Sequence, residues 1–299
     1  MKRYTFFVLL LFFLTNCKSL TNKNETNRSF QAFTSQTVEN ETDSLSIGID
    51  SVKIVEEDKL VLTAEEIEKL KMKEEYEFWI SENVNKDFLL GNVTRLDNPL
   101  FVKVGNAYTE RNIYLLHPVY EAYKKMYEAA LADSVKLIIT SGHRTFLEQI
   151  YEWELRWKNP RTEITFESDV EKAKYLLQYR SMPGTTRHHW GTDIDLNSFE
   201  LAYYESKEGQ KVYNWLKKNA PAYGFYQPYT PFDEKRRAGY QEEKWHWSYK
   251  PLAQLMLIKY LELVSINDIC GFEGDATAKK LPIVSVWVCG INPQINETD

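Results

Sequence analysis

The chain has 299 residues, of which 43% are hydrophobic and 14% aromatic, and 37 Lys and Arg stand against 43 Asp and Glu for a net charge of −6. That supplies a real core for one large domain or two small ones. The mild acidic balance, with no basic stripe, argues against nucleic acid as a partner.

Lys2 and Arg3 precede an apolar run from Tyr4 to Leu14, which ends at Thr15-Asn16-Cys17. A charged start, an apolar stretch of about 7–15 residues and a processing site read as a secretory signal. The run is shorter than the roughly 20 apolar residues that a spanning helix needs. Cys17 directly follows it and resembles the lipidated cysteine of a bacterial lipoprotein, with Asn16 where a smaller residue is usual. Residues 1–17 are therefore expected to be a signal peptide with a lipidation cysteine. The mature chain is expected to be exported and membrane-anchored in the cell envelope.

Residues 18–58 are rich in Ser, Thr, Asn, Asp and Glu and poor in large apolar side chains. Such a segment cannot bury enough surface to offset its ordering entropy, and it reads as a flexible tether. A flexible chain of about 40 residues has an r.m.s. span of roughly 35 Å. A folded domain is expected over 59–299. Its first helix is marked by Thr63 followed three residues later by Glu66, a capping-box pattern.

Val119, Tyr123, Met126 and Ala130 recur at helical spacing and predict an amphipathic helix over 117–132. Residues 135–140 (VKLIIT) read as a short buried strand that delivers Ser141-Gly142-His143-Arg144 to a sheet edge. Helices are expected over 146–157 and 168–179, with a polar loop between them. A turn-rich stretch, Ser181 to Thr186, approaches His188. Residues 192–196 alternate polar with apolar and read as a strand. A helix over 209–220 and a strand over 245–249 follow, and Pro251 opens the last clear helix. Strands interspersed with helices, with hairpin-like returns, indicate an α+β fold. Eight Trp and nineteen Tyr are many, and burial in the core accounts for most of them.

Three pieces carry the chemistry: Ser141-Gly142-His143-Arg144, then His188-His189-Trp190-Gly191-Thr192-Asp193-Ile194-Asp195, then Glu243-Lys244-Trp245-His246. Two His and an Asp can hold a Zn²⁺ and leave a position open for water. Asp193 and Asp195 are two residues apart on one strand, so they share a face, and either could be the carboxylate ligand. Glu243, three residues before His246, is placed as a general base, with Glu242 as its rival. Trp245 and Trp247 flank His246 and are expected to exclude water. Arg144 could bind a carboxylate or an oxyanion. Gln149 and Thr186 could hydrogen-bond substrate. Cys270 and Cys289 form an even pair in an exported chain, a candidate disulfide.

These pieces resemble the VanY-type D-alanyl-D-alanine carboxypeptidases of the LAS metallopeptidases, a group that includes the hedgehog signalling domain. The pattern there is Ser-Gly-Tyr-Arg-Ser followed by Gln, then Ser-x-His-x-x-Gly-x-Ala-x-Asp, then Glu-x-Trp-His. The resemblance is strongest over 110–260. It implies a small antiparallel sheet with flanking helices, one zinc per chain on His188, Asp195 and His246, Glu243 as base, and Arg144 on the substrate. It also implies a peptidoglycan stem peptide as substrate, most simply with loss of a terminal D-Ala. An L,D-carboxypeptidase, an endopeptidase and a non-catalytic zinc module are the alternatives on the same scaffold. Departures from the pattern include His143 for tyrosine, Thr186 for serine, and Asp193 for alanine, the last adding negative charge near the metal.

Overall fold

A computed structural model describes residues 63–96, 98–160 and 162–296, all within one compact unit, Leu60–Asp299. The predicted signal peptide, Cys17 and the 18–58 tether lie outside the described residues. The chain runs through α1 (Ala64–Asn83), α2 (Lys86–Leu89), β1 (Phe101–Lys103), β2 (Tyr114–Leu116) and α3 (His117–Ala132). It continues through β3 (Ile139–Ser141), α4 (Phe146–Lys158), α5 (Asp169–Leu176), a 3₁₀ turn (Arg187–Trp190) and β4 (Asp193–Leu196). Then come α6 (Leu201–Glu205), α7 (Lys207–Asn219), β5 (Phe225–Tyr226), β6 (His246–Tyr249) and α8 (Lys250–Leu263). The fold is α+β: β1 and β2 form a small ribbon, and the main sheet has the antiparallel order β3-β4-β6-β5.

Local signals explain most of the elements. The predicted capping box opens α1: the Glu66 amide donates to Thr63 Oγ1 at 3.2 Å, and the Thr63 amide donates to Glu66 Oε2 at 2.7 Å. α3 covers the predicted span, and Val119, Tyr123, Met126 and Ala130 are all fully buried. Burying an aliphatic side chain of that size contributes about 1.5–3 kcal/mol. Pro251 lies in the first turn of α8, where its missing N–H leaves no intrahelical bond unmade. Trp153, Trp190 and Trp247 are among the largest fully buried side chains.

Two expectations are corrected. The strand expected over 135–140 is regular only from Ile139 to Ser141. Before it, Asn197, at φ 61°, replaces the ladder with its own amide: it accepts from the Ile138 N–H at 3.2 Å and donates to the Lys136 carbonyl at 2.9 Å. The strand expected over 192–196 forms as β4, and Asp193 to Leu196 are all buried; its polar side faces a buried polar cluster. Cys270 and Cys289 are both free thiols, not a disulfide. Cys270 faces solvent, whereas Cys289 ends a π turn and packs on the core, which pushes its thiol pKa up.

Two glycines set the backbone around the centre of the fold. Gly191, at φ 69°, turns the chain from the 3₁₀ turn into β4. Gly91 sits at φ 79°, and a Cβ there would stand 2.3 Å from His189 Nδ1. Gly91→Ala is expected to cost about 2–4 kcal/mol, a left-handed penalty plus overpacking. Gly271→Ala, at φ 90° with nothing within 4 Å, is expected to cost only the backbone part, about 1–2 kcal/mol. Urea unfolding of the two variants checks this, and equal losses would remove the role assigned to the His189 contact.

Candidate active site

Register brings the distant motifs together. In the β4–β6 pair, Asp195 lies opposite His246 and Asp193 opposite Ser248; in the β3–β4 pair, Ser141 lies opposite Asp195. The 3₁₀ turn supplies His188. Thr186 caps that turn, its Oγ1 accepting from the His188 N–H at 3.3 Å. His188, Asp195 and His246 are all buried, and each offers one ligand atom such that these atoms lie within 4.8 Å of one another.

The ring contacts fix which atoms face the centre. His188 Nδ1–H donates to the Gly142 carbonyl at 2.8 Å, which turns Nε2 inward, 3.2 Å from Asp195 Oδ2. His246 Nε2 lies 2.9 Å from Asp193 Oδ2, and its Nδ1 lies 3.0 Å from Glu243 Oε2 and 3.6 Å from Asp195 Oδ1. His188 Nε2 and Asp195 Oδ1 have no hydrogen-bond partner although both are buried. Two imidazoles and a carboxylate, with His188 Nε2 and Asp195 Oδ1 left open and His246 Nδ1 turned toward them, fit a Zn²⁺.

Charge follows this geometry. Burial, then the Arg144 guanidinium, hold His188 below its ordinary pKa. Burial also works against protonated His246, but hydrogen bonds to Asp193 and Glu243 and the nearby carboxylates outweigh it and raise its pKa to about 10. Burial raises the Glu243 carboxyl, with His246 opposing. Burial would raise Asp195 too, but His188, His246 and Arg144 hold it well below the usual carboxylate range.

Arg144 lies beside the triad, with Nη2 3.6 Å from Asp195 Oδ2 and Nη1 donating to Gln149 Oε1 at 2.9 Å. Its carbonyl accepts from His189 Nδ1–H at 2.8 Å, and His189 Nε2 in turn accepts from the Gly184 N–H at 3.0 Å. That pair of bonds requires a neutral ring, and burial lowers the His189 pKa to about 3. His143 packs on Phe101 with ring centroids 4.3 Å apart; burial likewise lowers its pKa to about 3.

A cleft of about 1050 Å³ opens over the triad; it is lined by Arg144, Thr186, Arg180, Tyr229 and Glu243 among others. Glu243 lines it, while Glu242 does not and accepts instead from Tyr213 Oη at 3.0 Å. Gln149 also lines the cleft. It is 1% exposed, and beyond holding Arg144 it donates from Nε2 to the Ser181 carbonyl at 2.8 Å, so its amide braces the site. Trp245 and Trp247 are both buried.

Sequence reasoning missed Arg187, Ser248 and Tyr229. Arg187 Nε lies 3.1 Å from Asp193 Oδ2, and the Tyr229 ring meets the His246 ring edge-on at 4.9 Å. Ser248 could have been found, since it is two residues beyond a ligand candidate on the same strand face. Arg187 and Tyr229 carry no such local signal.

Residues 112–252 match the family described as VanY: D-alanyl-D-alanine carboxypeptidase. The matched stretch is just under half of the chain and includes all three motifs. It is 29% identical over 126 residues to a D-alanyl-D-alanine carboxypeptidase of Enterococcus faecalis, covering 42% of this chain and 44% of that one. An uncharacterized protein of Haemophilus influenzae is 32% identical over 82 residues, 23% of this chain and 61% of that one. The chain spans less than half the length of the first two curated relatives it matches. Among solved structures, VanYB in complex with D-Alanine-D-Alanine matches with TM-score 0.41 and 24% identity, covering 57% of this chain and 88% of that one. The LdcB LD-carboxypeptidase matches with TM-score 0.40 and 21% identity, covering 58% and 81%.

Gln149→Leu keeps the side-chain volume but strands Arg144 Nη1 and the Ser181 carbonyl. A loss of about 1–3 kcal/mol is expected in urea unfolding; an unchanged midpoint would mean that water takes over both bonds.

Proposed function

We propose that this chain is a zinc-dependent carboxypeptidase acting on the peptide stems of peptidoglycan, removing a terminal D-Ala. The observation that carries the reading is the convergence of His188, Asp195 and His246 within 4.8 Å, with Glu243 3.0 Å from His246 at the base of an open cleft. The VanY-family match supports the substrate class.

His188, Asp195 and His246 would hold the ion, with His188 Nε2, an Asp195 oxygen and His246 Nδ1 as the atoms available to it. When bound, zinc lowers the pKa of a water to around 7 and polarises the scissile carbonyl. Glu243 accepts the proton of the attacking water on its carboxylate and passes it to the leaving amine. Its burial favours the protonated form that the second half of this shuttle needs. Arg144, held by Gln149 and the His189 brace, donates to the carbonyl oxygen as negative charge develops there. The Thr186 hydroxyl already accepts from the His188 amide. Its own hydrogen is left to donate to the substrate's terminal carboxylate.

The location belongs to the same proposal. A signal over residues 1–17, a lipid on Cys17 and the 18–58 tether hold the enzyme near wall material outside the cytoplasm. Among the described residues no helix is long and apolar enough to cross a membrane. Detergent-phase partitioning that is lost in Cys17→Ala is the expected behaviour; a native protein found in the aqueous phase would remove the anchor.

One zinc per chain is expected by metal analysis, and His246→Ala is expected to lose it. Glu243→Ala is expected to keep its zinc while turnover of purified muropeptides, followed by mass spectrometry, falls about 10²–10⁴-fold. Near-normal turnover in that variant, with Glu242→Ala inactive, would move the base one residue back. Loss of one alanine from pentapeptide stems is the expected product. Loss of a residue from tetrapeptide stems instead would assign L,D-specificity.

A further inference from the structure

Asp193 stands where the resembled pattern has alanine, two residues from a proposed ligand, and it is completely buried. A bare carboxylate there would add a second negative charge to the centre. Its contacts remove that charge. Oδ2 accepts from Arg187 Nε at 3.1 Å and from His246 Nε2 at 2.9 Å. Oδ1 accepts from Thr192 Oγ1 at 2.7 Å and from Ser248 Oγ at 2.9 Å. Arg187 is itself buried, donates from Nη2 to Ser248 Oγ at 2.8 Å, and lies 4.8 Å over the Trp190 ring. Four donors occupy two oxygens, so no inward lone pair remains for the ion. The Arg187–Asp193 pair is neutral as a unit.

We propose that Asp193 is a positioning residue for the metal site, holding the Nε2–H tautomer and the ring orientation of His246 so that Nδ1 faces the ion, with Arg187 as its counter-charge. The proposal rests on the zinc reading above. The argument is one of hydrogen inventory: with four donors on its oxygens Asp193 only accepts, so the nitrogen 2.9 Å away must carry a hydrogen, and Nδ1, 3.0 Å from Glu243 Oε2, is the nitrogen that can give up its hydrogen to face an ion. Carboxylate partners of this kind fix the ligand's direction and raise its basicity, and removing them typically weakens metal binding about 10–100-fold. Ser248 and Thr192 fix the carboxylate in turn, so the chain of contacts runs from the strand pair to the ring. The extra acid in the motif is therefore an orienting group that brings its own cation.

Single removal of either member would bury an unpaired charge, so the test uses neutral backgrounds. Arg187→Met/Asp193→Asn keeps an acceptor for His246 Nε2–H; Arg187→Met/Asp193→Ala has none. Zinc dissociation constants are measured by competition with a chromogenic chelator. The Ala double variant is expected to bind about 10–100-fold more weakly than the Asn one, and equal affinities would overturn the proposal. The wild-type protein gives a second readout that needs no variant to fold. In the zinc-loaded form, ¹⁵N spectra of labelled imidazoles are expected to show His246 protonated at Nε2 and not at Nδ1; the opposite tautomer would overturn the proposal. A wild type that takes up no zinc would instead bring down the metal reading on which it rests.

Discussion

The antiparallel pairing of β4 with β6 is the constraint on which the rest depends. It sets Asp195 opposite His246 and Asp193 opposite Ser248, and so commits the middle of the sheet to buried charge. Asp193, Asp195, Glu243, His188, His246 and Arg187 are all under 10% exposed. Charge taken out of water costs several kcal/mol per ion unless it is paired and hydrogen-bonded. The fold meets that demand around Asp193 by saturating both oxygens. Around Asp195 it does not: Oδ1 and the facing His188 Nε2 are left without partners. Nearby, Arg144 Nε is also without a hydrogen-bond partner. Open valence is thus left where a cation and a substrate carbonyl would complete it.

Around this centre, the supporting contacts are aimed at backbone as much as at side chains. His189 ties the Arg144 carbonyl to the Gly184 amide, and Gly91 leaves it the space to do so. Gln149 links the Arg144 guanidinium to Ser181. On the opposite side, buried Arg236 donates to the carbonyls of Thr230, Ala238, Tyr240 and Gly290. It thereby fastens the segment that carries Tyr229 against His246. Groups that must act together are held by residues whose own rotamers are locked, which is the condition for a preorganised site.

Much of this was legible in the chain. α3 could be read from one apolar stripe, α1 from its capping box, and the start of α8 from Pro251, because each is decided by neighbours within four residues. The three motifs named His188, Asp195, His246, Glu243 and Arg144, and the structure brings all five to one cleft. The strand at 135–140 was misread in extent because Asn197, about sixty residues away, supplies bonds that a ladder otherwise would. The disulfide was misread because an even count of cysteines says nothing about which way each side chain faces.

The sequence by itself determined the periodicities, the caps and the donor types at the centre, since these are properties of residue identity and short spacing. Only the tertiary structure decided which donors are open and which are spent. That Gln149 holds Arg144, and that Asp193 is neutralised by Arg187 rather than a loose charge, depends on groups brought together by strand register and by the turn at Gly191. Those are choices of long-range geometry, and buried polar groups are satisfied by whatever that geometry puts within 3 Å or so of them.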